Sequence, residues 1–231
     1  MATSTRTTKA RTAVAPGPAR LPWTGDEEAD RLNAENPTAM LIGFVLDQQV
    51  TVQKAFAGPR VMIERLGTLD PAAIARMDGE ELAAAFRKPP AIHRFPGNMA
   101  ARVQALCAHL AETYDGDASR IWNEAVDARD LTRRLGKLPG FGEMKVRTVT
   151  ALLAKQYGVR PAGIEDVLPG WPTLGDVTTP EELEAYQAGK RAHKASLRAQ
   201  GINPGDVPRR PARGAAAATA DGGPARPGAR A

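Results

Sequence analysis

Leu138-Pro139-Gly140-Phe141-Gly142 decides how the chain reads, because it sits between two helix-forming stretches. Upstream, residues 127–136 place Leu131 and Leu135 four apart, on one helical face. Downstream, residues 143–157 carry Val146, Val149, Leu152 and Leu153 on one apolar side. Two glycines around one apolar residue predict a tight turn. Glycine accepts φ > 0 and has no side chain to block a close backbone approach. Such a turn leaves the first N–H groups of the second helix pointing outward. Those groups and the helix dipole suit an anion, above all a phosphate. Phe141 is predicted to turn inward and pin the two helices together. A helix corner without a ligand would use the same two glycines. The full string, followed by Lys145 and a long amphipathic helix, favours the phosphate.

Outward from this hairpin, the sequence carries only helix signals, and the fold class it predicts is all-α. Asn36-Pro37, Asp70-Pro71 and Thr179-Pro180 each set a capping side chain before a proline that fits the first helical position. Asp78 and Glu81 make a capping box. No run alternates β-branched and polar residues, and alanine and leucine dominate. Helices are predicted near 26–35, 37–52, 59–66, 71–77, 80–86, 98–114 and 118–124, then the hairpin pair over 127–157. A Pro/Gly-rich stretch, 160–178, leads to a last, strongly charged helix over 180–200, ended by Gly201.

The net charge of +5 is unevenly spread. Residues 1–20 hold Arg6, Lys9, Arg11 and Arg20 and no acid; residues 203–231 hold five arginines against Asp206 and Asp221. The stretch between them is slightly acidic. Both ends are rich in Ala, Pro, Gly and Arg, and both read as disordered basic tails flanking a helical domain over 21–202. Such tails either hold nucleic acid loosely through counterion release or are solvated termini. No apolar run is long enough to span a membrane, and no signal peptide is expected. The single cysteine, Cys107, reads as a buried thiol, and no metal-ligand spacing or cofactor fingerprint is present. Trp23 and Trp122 read as core residues.

The stretch 37–52 differs from the other helices. Met40, Leu41, Ile42, Phe44, Val45 and Leu46 are apolar on nearly every face, which puts it at the centre of a core. Its end turns polar at Asp47-Gln48-Gln49. These amides either reach a groove or form a solvated helix end. The segment Phe95-Pro96-Gly97-Asn98 is a turn before the longest helix, and its N-terminus is a second possible anion site.

These pieces, in this order, resemble the helix-hairpin-helix (HhH-GPD) DNA glycosylase superfamily of base excision repair. Three stretches carry the resemblance over roughly residues 26–157: Leu41 to Val50, Phe95 to Val103, and the Leu138–Gly142 hairpin. It implies a helical core cut by a cleft, with the hairpin on its rim. It also implies duplex DNA carrying a damaged base as partner, and Gln48 and Gln49 as cleft residues. Gln49 is the better match to the residue that fills the space vacated by the base. Leu138, Gly140, Phe141, Gly142 and Lys145 become DNA-binding candidates. The iron–sulfur subgroup needs four thiolates, and the chain has one cysteine. No cofactor is expected.

The chain also departs from the family. Bifunctional members place a lysine two residues after the second hairpin glycine; Met144 stands there, and Lys145 is one further on. One step along a helix turns a side chain by about 100°. Schiff-base lyase chemistry is therefore not expected, and Lys145 is left to meet a phosphate or a solvated face. The family's catalytic aspartate lies past the second hairpin helix. The nearest acids here are Glu165 and Asp166, slightly late, and Asp176 farther on. Asp166 is the preferred catalytic carboxylate. Glu143, in the first turn after the hairpin, competes with a phosphate there. The resulting expectation is a monomeric, cytoplasmic, monofunctional DNA glycosylase; the alternative is a non-catalytic duplex-binding module on the same fold.

Overall fold

The capping signals become helices wherever an apolar stripe follows them. A computed structural model describes residues 17–201. The tails expected over 1–20 and 203–231 lie outside the described residues, except for 17–20, where Gly17 lies against the Tyr157 ring. The elements are α1 (Glu27–Glu35), α2 (Pro37–Leu46), α3 (Val52–Leu66), α4 (Pro71–Arg76), α5 (Gly79–Arg87), α6 (Pro96–Tyr114), α7 (Arg120–Asn123), α8 (Ala128–Gly136), α9 (Glu143–Gln156) and α10 (Ile164–Val167). A 3-10 turn, Leu174–Asp176, then leads to α11 (Pro180–Ala199). Among the described residues there is no strand, and no helix is long and apolar enough to cross a membrane.

Helix α2 occupies the centre, packed against α1, α3 and α6. Leu41, Ile42, Phe44, Val45 and Leu46 are all at most 1% exposed. Burial of each contributes about 1.5–3 kcal/mol. The ring of Phe56 on α3 stands edge-on to Trp23 and to Phe44, with centroids 4.7 and 5.1 Å away. Trp23 and Trp122 are both buried, and Trp171 is partly exposed.

Two predicted boundaries are corrected. The helix expected over 37–52 stops at Leu46, where the Asp47 N–H closes the last turn on the Gly43 carbonyl at 3.0 Å. Residues 47–51 leave the helix, and Gln49 takes φ 58. The helix expected to begin at Pro59 begins instead at Val52. Thr51 caps it, its Oγ1 accepting from the Lys54 N–H at 3.2 Å, and it runs through Pro59. An internal proline removes one helical N–H and costs about 3 kcal/mol. Burial of Phe56, Met62 and Pro59 itself offsets that.

Helices α8 and α9 form the hairpin. Leu131, Leu135, Leu138, Phe141, Val146 and Val149 are buried in the common core. Asp127 caps α8 through the Asp130 N–H at 2.7 Å. Buried Asp130 accepts from Arg134 Nε at 2.9 Å and pairs with Arg133. Burial opposes its charge, but the Arg134, Val126 and Arg133 donors outweigh it and hold its pKa below the usual carboxylate range.

Candidate nucleic-acid interface and active site

Three elements meet where α2 ends. The hairpin arrives from one side: a Cβ at Gly140 would stand 3.7 Å from Val45 Cγ2. The start of α6 arrives from the other: Arg102 Nη1 donates to Gln48 Oε1 at 2.6 Å. The two hairpin glycines are used differently. Gly140 has φ 82, the left-handed region that favours glycine. Gly142 has φ −84 and ψ 172, which any residue adopts, and open space where a side chain would be. Gly140 therefore makes the turn, and Gly142 keeps its outer side clear. Both are exposed.

Gly142 is the N-cap of α9 and supplies no capping side chain; the N-cap of α6, Phe95, supplies none either. These two long helices thus begin without a side-chain cap over their first N–H groups. The rim around them exposes Phe95 with the Arg94 guanidinium 4.8 Å from its ring centroid, Met144, and Trp171 with Arg147 at 5.4 Å. Glu143 accepts from Arg147 at 2.6 Å, so a cation one turn along the helix offsets its charge.

The paired glutamines have opposite characters. Gln48 is locked: its Nε2 donates to the Val45 carbonyl at 3.0 Å, and its Oε1 accepts from Arg102. Its carbonyl meets His93 Nε2 at 2.9 Å. Because His93 Nδ1 accepts from the Phe95 N–H at 3.1 Å, its proton is on Nε2, which donates to Gln48. Burial keeps the His93 pKa below the ordinary histidine value. Gln49 is exposed, and its side chain makes no hydrogen bond among the described residues. It is held in a left-handed conformation that costs a non-glycine residue of order 1–3 kcal/mol. A hollow of about 400 Å³ opens beside it, lined by Gln49, Thr51, Lys54, His93 and Arg94 among others. Another hollow, of about 490 Å³, lies at the starts of α2 and α4, with Glu35, Asp70 and Asp117 in its wall and no cation to meet a phosphate.

Lys145 does not lie on a solvated face. It turns toward the end of α2, with Nζ 3.4 Å from the Val45 carbonyl and 5.9 Å from the Phe141 ring centroid. Burial lowers its pKa to about 8, against the pull of Asp47. Met144, at the position of the family lysine, is 47% exposed. Beside Lys145 lies Asp47, which the sequence reading passed over for its neighbours. No hydrogen bond reaches its carboxylate among the described residues. Burial raises its pKa, against the pull of Lys190, Lys145 and Lys194. Its signal in the sequence was an acid ending an otherwise apolar helix.

The expected acids lie elsewhere. Asp166 is exposed on the short α10, its N–H closing the turn on the Gly163 carbonyl at 3.2 Å. Asp176 accepts from the Thr173 N–H at 2.8 Å and pairs with Lys155, which makes it a capping group of the 3-10 turn. Burial opposes its charge, but the Lys155 and Thr173 donors hold its pKa low. The side chains of Leu138 and Phe141 are buried, so what these residues present outward is backbone. Among the described residues no group of His, Cys, Asp and Glu could hold a metal ion.

A family model described as "HhH-GPD superfamily base excision DNA repair protein" matches residues 42–213. Comparison with curated proteins and with solved structures returned no match.

Proposed function

The chain belongs to the HhH-GPD superfamily of base excision DNA repair proteins, and on that premise we propose that it is a monofunctional DNA glycosylase. The observation that carries the proposal is that the hairpin and α6, whose helices start without side-chain caps at Gly142 and Phe95, both meet the end of α2, where Gln49 is strained and exposed. The N–H groups of the hairpin hold a phosphate of the damaged strand. Gln49 enters the duplex as the damaged nucleotide turns out of the stack.

The C1′–N bond then breaks, its electron pair leaves with the base, and positive charge develops on the sugar. A carboxylate stabilises that charge and takes a proton from the water that attacks C1′. We assign this role to Asp47 in preference to Asp166. Asp47 stands next to Lys145, and burial makes its carboxylate a stronger proton acceptor than an exposed one. The Lys145 ammonium faces the phosphate beside the extruded nucleotide.

The test is cleavage of duplexes carrying uracil, alkylpurine or oxidised lesions, followed by alkali. Abasic product is expected on at least one substrate, lost in Asp47→Asn and kept in Asp166→Asn. Borohydride should trap no covalent complex. Absence of product across the panel would remove the enzymatic reading. A second reading, a non-catalytic duplex-binding module, is favoured by the exposed Met144 where bifunctional members carry lysine. It requires duplex affinity without abasic product.

A further inference from the structure

Helix α11 changes character along its length. Acids occupy its first turns, at Glu181, Glu182 and Glu184; from residue 190 onward its charged residues are Lys190, Arg191, Lys194 and Arg198. Its root is fixed to the body. Thr179 and Glu182 form a capping box, and Leu183 is buried. The preceding 3-10 turn presses so closely on α9 that a Cβ at Gly175 would stand 2.6 Å from the Leu152 backbone nitrogen. Gln156 Nε2 donates to the carbonyls of Gly175 and Val177, both at 3.1 Å.

The face that α11 turns toward the body runs through Leu183, Tyr186, Lys190 and Lys194. On a helical wheel both lysines point within about 20° of Leu183. An apolar stripe that packs for two turns is thus continued by two cations on the same side. Neither lysine is covered: both are exposed, although they point the way Leu183 points. The second half of α11 therefore overhangs the core, with these two side chains in solvent and Leu197 partly covered. Lys190 lies over the Tyr186 ring, 5.0 Å from its centroid, which holds its ammonium near the root of the overhang. Both lysines lie within electrostatic reach of Asp47, at the end of α2.

We propose that the inner face of α11, with Lys190 and Lys194, is a second DNA-backbone site. It grips a strand of the duplex alongside the cleft while the hairpin grips the damaged strand. Cations at positions that would pack apolar residues against a body suit a polyanion entering from solvent. Among the described residues none of Lys190, Arg191, Lys194 and Arg198 forms an ion pair, so the basic half keeps charge available for a polyanion. The inference rests on the DNA-binding part of the proposed function.

The test uses the full chain and a fluorescent lesion-free duplex, titrated across a salt series. Wild type is compared with Lys190→Ala/Lys194→Ala and with a control, Arg76→Ala/Lys88→Ala, that removes two exposed charges on α4 and after α5. Each lost phosphate contact should lower the slope of log K against log salt by about 0.9. A decrease of about 1–2 is expected in the α11 variant, with affinity at low salt reduced about tenfold or more, and little change in the control. All substituted side chains are exposed, and matching thermal melts will show that the fold is intact. A wild-type slope retained in the α11 variant, or an equal decrease in the control, would overturn the site while leaving duplex binding in place. If wild type fails to bind duplex at all, the proposed function falls together with it.

Discussion

Helix starts in this protein fall into two groups. Asp26, Asn36, Thr51, Asp70, Asp78, Asp127, Thr173 and Thr179 each accept a backbone N–H at the start of their element. Four described helices lack such a cap. Two of those are four-residue turns; the other two, α6 and α9, are among the longest in the chain. Both belong to elements that meet the end of α2, the hairpin at Val45 and α6 at Gln48. Capping satisfies donors and typically contributes about 1 kcal/mol per helix. The first group holds the scaffold together, and the second is the one the proposed function turns toward a phosphate.

The carboxylates divide the same way. Asp130 is buried and fully paired, while the Asp47 carboxylate is desolvated and accepts no hydrogen bond among the described residues. The largest expected effect sharpens this contrast. Asp47→Asn should slow single-turnover base release by about 10²–10³ while leaving the thermal melt at pH 7 unchanged or raised. The sign follows from linkage. Burial raises the folded pKa of Asp47 above its unfolded value, so the folded chain binds a proton that the unfolded chain releases. Stability from this site is therefore lost as pH rises through the ordinary carboxylate range, and the amide removes that loss. Asp130 has the opposite sign. Its folded pKa is depressed, so its contribution is present above the ordinary carboxylate range and disappears as pH falls through the folded value. Asp130→Asn should lower the melting temperature at pH 7 more than at pH 3. Slow base release in Asp130→Asn without a lower melt would break the distinction.

Lys145 sets the next effect. With its pKa near 8, activity should decline above about pH 8 as the ammonium loses its proton, and decline in acid as Asp47 gains one. Lys145→Met should remove the alkaline limb of the pH–rate profile. A wild-type profile flat from pH 7 to 9.5 would separate Lys145 from the chemistry.

Gly142→Asp tests the uncapped start directly, with opposite signs for folding and binding. An aspartate fits the backbone conformation at 142 and would cap α9, raising stability by a few tenths of a kcal/mol. It would also put a carboxylate where the phosphate sits, weakening duplex affinity on the order of tenfold. Denaturant melts and gel shifts on the same variant check both signs. The smallest effect is the converse: Asp78→Ala removes two hydrogen bonds at the start of α5 and should lower stability by about 1 kcal/mol, with duplex affinity unchanged.

The helices, their caps and the hairpin were legible in the sequence because their signals are local. A capping side chain, a proline at the first turn and an apolar stripe act within a few residues. The boundaries that moved were set by burial. The apolar run of α2 gives no sign of where its axis must stop, and Pro59 reads as a start until Thr51 and the aromatic contacts of Phe56 are seen. Of the candidate site, Gly140 and Gly142 could be named from the turn they spell and Gln49 from the family resemblance, and all three are exposed.

By itself, then, the sequence determined an all-helical chain and its glycine corner, since short-range backbone preferences specify both, and it carried the motifs of the HhH-GPD superfamily. Tertiary structure alone decided which charged groups share the cleft. Lys145 lies one helical step beyond the expected position, yet it turns into the space beside Asp47, about a hundred residues earlier in the chain. The lysines of α11 reach that neighbourhood from a third element. Electrostatics and desolvation depend on separations in space, which local sequence patterns do not encode.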